Sequence, residues 1–344
     1  MTDRKPLIEV DNLRVRLNTS RGPADAVRGV SFSLARGETL GLIGESGCGK
    51  SVTAMALMGL LPESAVVSGS VRLDGQELVG LDEAGYCKLR GNRVSMIFQE
   101  PMTALNPMHT VGRQVADPLR RHKGFSRAQA YKEAIALLDR VGLPDAAKRA
   151  AAYPHQFSGG QRQRITIAMA LACEPDLLIA DEPTTALDVT IQGQILDLIA
   201  DLMAERGMSM ILISHDLGVI AENVQRMMVM YGGTVVENGT IEALLSGMGH
   251  PYSQGLLRAR PRLGAPKGTR LQTIPGTVPE LADLPSGCAF ADRCDIAEER
   301  CRAIFPPPVT VNAGHTVRCL RTDVSMANRI HRPRQGSCPR PVAH

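Results

Sequence analysis

Tryptophan is absent from the 344 residues, and with five tyrosines and six phenylalanines the aromatic share is only 3%. A platform for single-stranded nucleic acid needs rings on which bases stack, so this composition speaks against one. Lys plus Arg exceed Asp plus Glu by only 39 to 35, a formal charge of +4 spread along the chain. That balance supplies no basic stripe for a duplex backbone, and no nucleic-acid partner is expected. Long apolar runs are also missing. Leu177–Ala180 and Ser209–Ser214 fall far short of the roughly 20 residues that a membrane-crossing helix requires. The charged start at Asp3, Arg4 and Lys5 is followed by no apolar h-region, so no secretory signal is read. These absences leave a soluble, globular-length chain that does not itself span a membrane, with the cytoplasm as its default compartment.

Strand signals open the chain at Ile8-Glu9-Val10, Leu13–Leu17 and Val30–Leu34, with a Gly22-Pro23 turn between them, which predicts an antiparallel sheet. The nearly pure apolar run Glu38–Ile43 then enters the glycine-rich Gly44–Gly49 and a helix-like segment, Ser51–Leu61. Further strands are expected at Ser70–Leu73, Val94–Phe98, Leu177–Ala180, Met210–Ile213, Arg226–Met230 and Thr234–Glu237. Helices are expected across about Thr110 to Leu143, Gln163–Cys173 and Ile191–Glu205. Buried strands alternating with helices give a parallel βαβ pattern. After about Gly247, prolines 251, 261, 266, 275, 279, 285 and 306–308 interrupt every helical pattern. The expected organisation is therefore a domain over 1–247 with a helical subdomain at about 100–172, a proline-rich domain over 248–320, and an Arg/Pro-rich mobile tail over 321–344.

Gly44-Glu45-Ser46-Gly47-Cys48-Gly49-Lys50-Ser51 fits G-x-x-x-x-G-K-[ST] at every fixed position. Glycines allow the tight curvature that turns successive N–H groups and a helix N-terminus toward phosphate oxygens. Lys50 would neutralise the β- and γ-phosphates, and the Ser51 hydroxyl would help hold Mg²⁺. A glycine turn with a solvated lysine is the plain alternative, but the strand-loop-helix setting argues against it. The apolar strand Leu177–Ala180 ends in Asp181 and Glu182, at the strand end where open α/β sheets bind ligands. Asp181 suits Mg²⁺ and Glu182 suits a general base toward the attacking water. Ser158-Gly159-Gly160-Gln161 follows Phe157; alone, Ser158 reads as an ordinary N-cap.

Taken in order, these segments resemble the ATP-binding-cassette ATPases. The resemblance implies that Ser158, Gly159, Gly160 and Gln161 form the signature that addresses the γ-phosphate held by the opposite subunit. It implies that Gln99 senses Mg²⁺, the γ-phosphate and the transmembrane partner. Thr185-Ala186-Leu187-Asp188 resembles the loop that crosses the dimer interface, and His215 resembles the switch histidine. The fold it implies is an α/β nucleotide-binding domain with a RecA-like parallel core, an antiparallel β subdomain and an inserted helical subdomain. Gln99–Pro107, Tyr153-Pro154-His155-Gln156 and His250–Gln254 narrow the resemblance to the dipeptide, oligopeptide and nickel importers. Members usually place an aromatic side chain against adenine, yet Leu13–Arg28 contains none; Leu17 would stand in with apolar contact only, and weak adenine selectivity is expected.

Eight cysteines are present, of which Cys288, Cys294, Cys301, Cys319 and Cys338 crowd the last part of the chain. The C-x₅-C-x₆-C-x₁₇-C spacing of the first four matches neither zinc fingers nor simple ferredoxins, so spacing alone names no metal. In the importer ATPases a similar four-cysteine element is associated with a [4Fe–4S] cluster. That resemblance makes Cys288, Cys294, Cys301 and Cys319 the expected ligands, with zinc or free thiols as alternatives. Cys48, Cys87 and Cys173 are expected only to pack, and Cys338 to be free.

The function implied is ATP-driven import of dipeptides or oligopeptides. The chain would work at the cytoplasmic face of the plasma membrane with two transmembrane permeases, a second cassette ATPase that is a paralogue or another copy, and an extracytoplasmic substrate-binding protein. The rival is a soluble cassette ATPase acting on nucleic acid or ribosomes, which lacks support because no long coiled coil or basic stripe is present.

Overall fold

The computed structural model describes residues 5–184, 189–260 and 273–323. Of the expected tail over 321–344, everything from 324 onward, Cys338 included, lies outside the described residues, as does the segment Thr185–Asp188. Two compact units are present: one runs to Val235 and takes in Val278–Leu284, and the other comprises the remainder from Val236.

In the first unit, β1 (Pro6–Thr19) and β2 (Gly22–Ala35) form a hairpin that continues through β4 (Val66–Leu73) into β5 (Gln76–Glu77). The result is a four-stranded antiparallel sheet of order β2-β1-β4-β5. The two strand signals at Ile8–Val10 and Leu13–Leu17 belong to one strand, because an irregularity between Val10 and Leu13 takes up the register shift and Asn12 adopts φ +47° there. Val10, Leu13, Val15, Val27, Val30 and Leu34 face inward into one core with Leu57 and Met58 of α1 (Lys50–Met58).

The parallel sheet contains β3 (Thr39–Ile43), β6 (Val94–Ile97), β7 (Leu177–Asp181), β8 (Ser209–Ser214) and β9 (Arg226–Tyr231). β3 lies between β8 and β9, and β7 lies between β8 and β6. All residues of β6, β7 and β8 are buried, as continuous apolar runs in a parallel sheet require. The helices of this unit are α1, α2 (Glu83–Leu89), α3 (Pro101–Ala104), α4 (Val111–His122), α5 (Arg127–Arg140), α6 (Ala146–Arg149), α7 (Gly159–Leu171), α8 (Val189–Arg206) and α9 (Leu217–Asn223). The expected helical stretch from Thr110 to Leu143 is two helices, separated by a break after which Ser126 and Gln129 form a capping box for α5.

The second unit carries β10 (Thr234–Thr240), which pairs with β12 (His315–Val317), which pairs in turn with β11 (Val309–Asn312). Its helices are α10 (Ile241–Ser246), α11 (Pro251–Ala259) and α12 (Glu299–Ala303). Pro251 begins α11 instead of breaking it. Proline is at home at the first helical position, where its missing N–H costs no bond, and His250 caps the helix by accepting from the Tyr252 N–H at 3.1 Å. The buried centre here is polar. Glu237, fully buried, accepts from Gly249 N and from His250 N at 2.9 Å, and lies 2.7 Å from Nε2 of fully buried His315. Tyr252 and Phe290 pack with their rings tilted by 54° and their centroids 5.4 Å apart.

Candidate nucleotide-binding site

The phosphate loop occupies the expected place, between the end of β3 and the start of α1. Gly49 caps α1 at φ +101° with no side-chain acceptor for the first helical N–H groups. Those donors are therefore left for a ligand. Two glycines are required by contact, and Gly49 by conformation as well. A Cβ on Gly44 would lie 2.3 Å from the Met230 carbonyl oxygen, and one on Gly49 would lie 2.7 Å from that of Ala26. Ser46 and Gly47 form the exposed tip of the loop. Lys50 is buried, its Nζ donating to the carbonyls of Gly44 at 2.8 Å and Glu45 at 3.1 Å, with Cys48 Sγ at 3.8 Å. The ammonium is thus held inside the loop that needs its charge.

Asp181 ends β7 and is only 5% exposed. Burial raises its carboxyl above the ordinary range, the Ser51 hydroxyl and Lys50 oppose that shift, and Glu182 adds to it. Its Oδ1 is buried without a hydrogen-bond partner. A buried carboxylate oxygen left open beside a serine hydroxyl fits a divalent cation, so the residues present suit Mg²⁺.

Glu182 adopts φ +47°, an uncommon conformation for a residue with a long side chain, while its N–H donates to the Ile213 carbonyl at 2.9 Å. This geometry follows from the turn at the end of β7. Glu182 Oε2 accepts from Gln99 Nε2 at 3.3 Å and lies 3.2 Å from His215 Nδ1. Glu182 is mostly covered, with 15% of its side chain exposed, whereas His215 is 64% exposed. The ends of β6, β7 and β8 therefore bring together Gln99, Glu182 and His215, and the Asp181–Ser51 contact ties that group to the phosphate loop.

The signature forms the N-terminus of α7. Ser158 Oγ accepts from Gln161 N at 3.4 Å, and Gln161 Oε1 accepts from Ser158 N at 3.2 Å. Arg149 also donates to Gln161 Oε1 at 3.1 Å and covers Phe157, its guanidinium 4.4 Å from the ring centroid. Ser158 and Gly159 are exposed, and a Cβ on Gly159 would meet no atom within 4 Å. Asp188 lies outside the described residues. Leu17, on β1, is half-buried against the antiparallel core. Sequence reasoning did not find the Arg149 brace on Gln161, because the two side chains lie on different helices and Arg149 belongs to no motif.

In the second unit, Cys288, Cys294, Cys301 and Cys319 are all free and line one cavity of about 20 Å³ together with His250 and Phe290. Burial pushes the Cys288 and Cys294 thiols up to about 11 each and also raises Cys319; neighbouring cysteines contribute to all three shifts. Among the described residues, no group of three or more His, Cys, Asp or Glu side chains is arranged to hold a metal ion.

The sequence pattern of the ABC transporter family matches residues 27–185, and that of the oligopeptide/dipeptide transporter C-terminal region matches residues 236–301. A Brucella melitensis protein named as a peptide import ATP-binding protein is 51% identical over 330 residues, covering 92% of this chain and 98% of the relative. The dipeptide transport ATP-binding protein of Bacillus subtilis is 49% identical over 319 residues, covering 92% and 95%. Among solved structures, the dimeric post-hydrolysis state of an ATP-binding cassette bound to ADP and Pi is similar with a TM-score of 0.61 and 28% identity, covering 68% of this chain and 98% of that one.

Proposed function

Because this chain belongs to the ATP-binding-cassette transporter ATPases, we propose that it hydrolyses ATP to drive import of dipeptides or oligopeptides. The observation that carries this reading is the convergence of Gln99, Glu182 and His215 on the side of the sheet that holds the phosphate loop. Relatives named for oligopeptide and dipeptide transport indicate the cargo.

In the proposed cycle, Lys50 and the open N–H groups of α1 hold the phosphates of ATP. Ser51, Asp181 and Gln99 would hold Mg²⁺, which when bound neutralises phosphate charge. Glu182 takes the proton of the attacking water, and His215 and Gln99 fix its carboxylate in place. Ser158–Gln161 of a second cassette, a paralogue or another copy, closes over the γ-phosphate, with Asp188 at the crossing between subunits. Arg149 keeps Gln161 turned back so that the N-terminus of α7 stays clear.

The same unit contains a groove of about 820 Å³ lined by Phe98, Asn106, His109, Gln114, Arg121 and Met169. Phe98 is 43% exposed and immediately precedes Gln99, which links the groove to the nucleotide site through one peptide bond. We assign this groove to a cytoplasmic helix of a permease. No helix among the described residues is long and apolar enough to cross a membrane, which agrees with peripheral attachment at the cytoplasmic face through two permeases. An extracytoplasmic binding protein would select the cargo. Co-purification tests the assembly: two hydrophobic permeases are expected, and recovery of ribosomes or DNA instead would favour the soluble rival.

The reading of the four cysteines as ligands of a [4Fe–4S] cluster is supported by their free state and shared cavity. Loading would require that cavity, about one water in volume, to widen and the raised thiols to ionise. Iron and sulfide in near-equal amounts in anaerobically purified protein are the expected result. Metal-free protein with a folded second unit would overturn the cluster.

A further inference from the structure

The second unit contains another cavity, of about 320 Å³, which shares Pro251 and Phe290 with the cysteine cavity but none of the four cysteines. Its volume falls at the lower end of the range for small-molecule sites, roughly 300–1,000 Å³. Pro251, Ile274, Pro275 and Phe290 provide apolar wall, and Arg258, Arg293 and Asp295 provide charge. The two arginines differ. Arg293 is fixed: its Nε donates to the Pro275 carbonyl at 2.7 Å and its guanidinium lies 5.8 Å from the Phe290 ring centroid. Arg258, half-buried on the last turn of α11, has no hydrogen-bond acceptor or ion-pair partner among the described residues, and exposed Asp295 has no hydrogen-bond donor or ion-pair partner among them. An unmatched cation and an unmatched anion therefore border one apolar cavity without pairing to each other.

A ligand that satisfies both charges and the wall carries a carboxylate, an ammonium group and an apolar side chain. We propose that this cavity binds a zwitterionic apolar amino acid or dipeptide. The carboxylate is received by Arg258, whose planar fork matches it, the ammonium faces Asp295, and the side chain lies against Phe290 and Ile274. On the import reading above, dipeptides are what the transporter delivers and amino acids are what their hydrolysis yields, so occupancy of this cavity follows the imported pool. The binding itself does not depend on that reading.

The test is isothermal titration of the full chain, without nucleotide, using leucine, dileucine, N-acetyl-leucine and leucinamide. Saturable binding of leucine or dileucine is expected, and comparison of the two distinguishes an amino acid from a peptide as the ligand. Arg258→Ala should weaken binding on the order of tenfold or more, the scale of a lost charge-assisted contact. N-acetyl-leucine should bind more weakly than leucine, and its affinity should not change in Asp295→Asn, whereas leucine should lose affinity in that variant. Unchanged far-UV circular dichroism and nucleotide binding in the two variants separate these effects from misfolding. Absence of saturable binding by both zwitterions, or affinity unchanged in both variants, would overturn the proposal. Failure of peptide transport with intact leucine binding would count against the import reading alone.

Discussion

Acid should loosen the second unit, and His250 sets the size of the effect. Its imidazole is completely buried, and burial holds its pKa at about 4 against an ordinary 6.5, with the charge of Glu237 only partly opposing. The unfolded chain takes up a proton near 6.5, while the folded chain refuses it until about 4. Between those values the unfolded state binds more protons, so stability falls as pH falls. Nothing is lost above the upper value, and the loss is complete below the lower one. Over the whole interval it amounts to about 3 kcal/mol, and at about pH 5 to roughly 2 kcal/mol. Glu237 acts in the same direction at lower pH. Burial, the largest single influence, opposes the shift, but His315 and the backbone N–H groups of Gly249 and His250 hold the carboxyl below the ordinary range. Stability from that source is lost as pH falls below the ordinary carboxylate range. Hydrogen exchange of the segment 249–259, corrected for intrinsic rates, measures the opening free energy at about pH 7 and pH 5. His250→Asn, whose amide oxygen can accept from the Tyr252 N–H, should remove most of the slope. Equal opening energies at the two pH values in the wild type, or an unchanged slope in the variant, would refute the reasoning.

Lys50→Ala should reduce nucleotide affinity on the order of tenfold to a hundredfold, the scale of lost charge-assisted bonds to phosphate; unchanged binding in a titration would remove the loop from the site. Gln99→Ala should retain ATP binding and lower transport-coupled hydrolysis by about tenfold, as expected when a group that positions Glu182 is removed; turnover at the wild-type rate in the assembled transporter would contradict that role. Leu17 offers apolar contact but no ring, so the wild type should discriminate ATP from GTP weakly and Leu17→Tyr should sharpen the preference. Strong ATP preference in wild-type competition binding would show that another group reads the base.

The phosphate loop was legible in the sequence because strand, glycines, lysine and helix are contiguous, and local geometry follows from local composition. The parallel core was legible for a related reason, since a strand buried on both faces leaves an unbroken apolar run such as Leu177–Ala180. The contacts around Glu182 were not legible. Its partner Gln99 is 83 residues away and His215 is 33 residues away, and only the strand order β3-β8-β7-β6 makes their ends neighbours. Without the family resemblance, a lone glutamine and a lone histidine after two strands would have carried no signal. The prolines of the last segment misled for the opposite reason: each was read as a helix breaker, but Pro251 sits where a helix begins. Glu237 and His315 also escaped notice, because an acid in an apolar strand and a histidine 78 residues later show no periodicity, and only the closure of β12 on β10 buries them together.

The central claim is that Glu182 converts bound ATP into peptide transport, and the direct measurement is ATP hydrolysis and labelled-dipeptide uptake by the transporter reconstituted with its permeases. The Glu182→Gln transporter should bind ATP with near wild-type affinity, hydrolyse it on the order of a hundredfold or more slowly, and accumulate no dipeptide above the ATP-free control. Wild-type turnover and uptake in that variant would contradict the account.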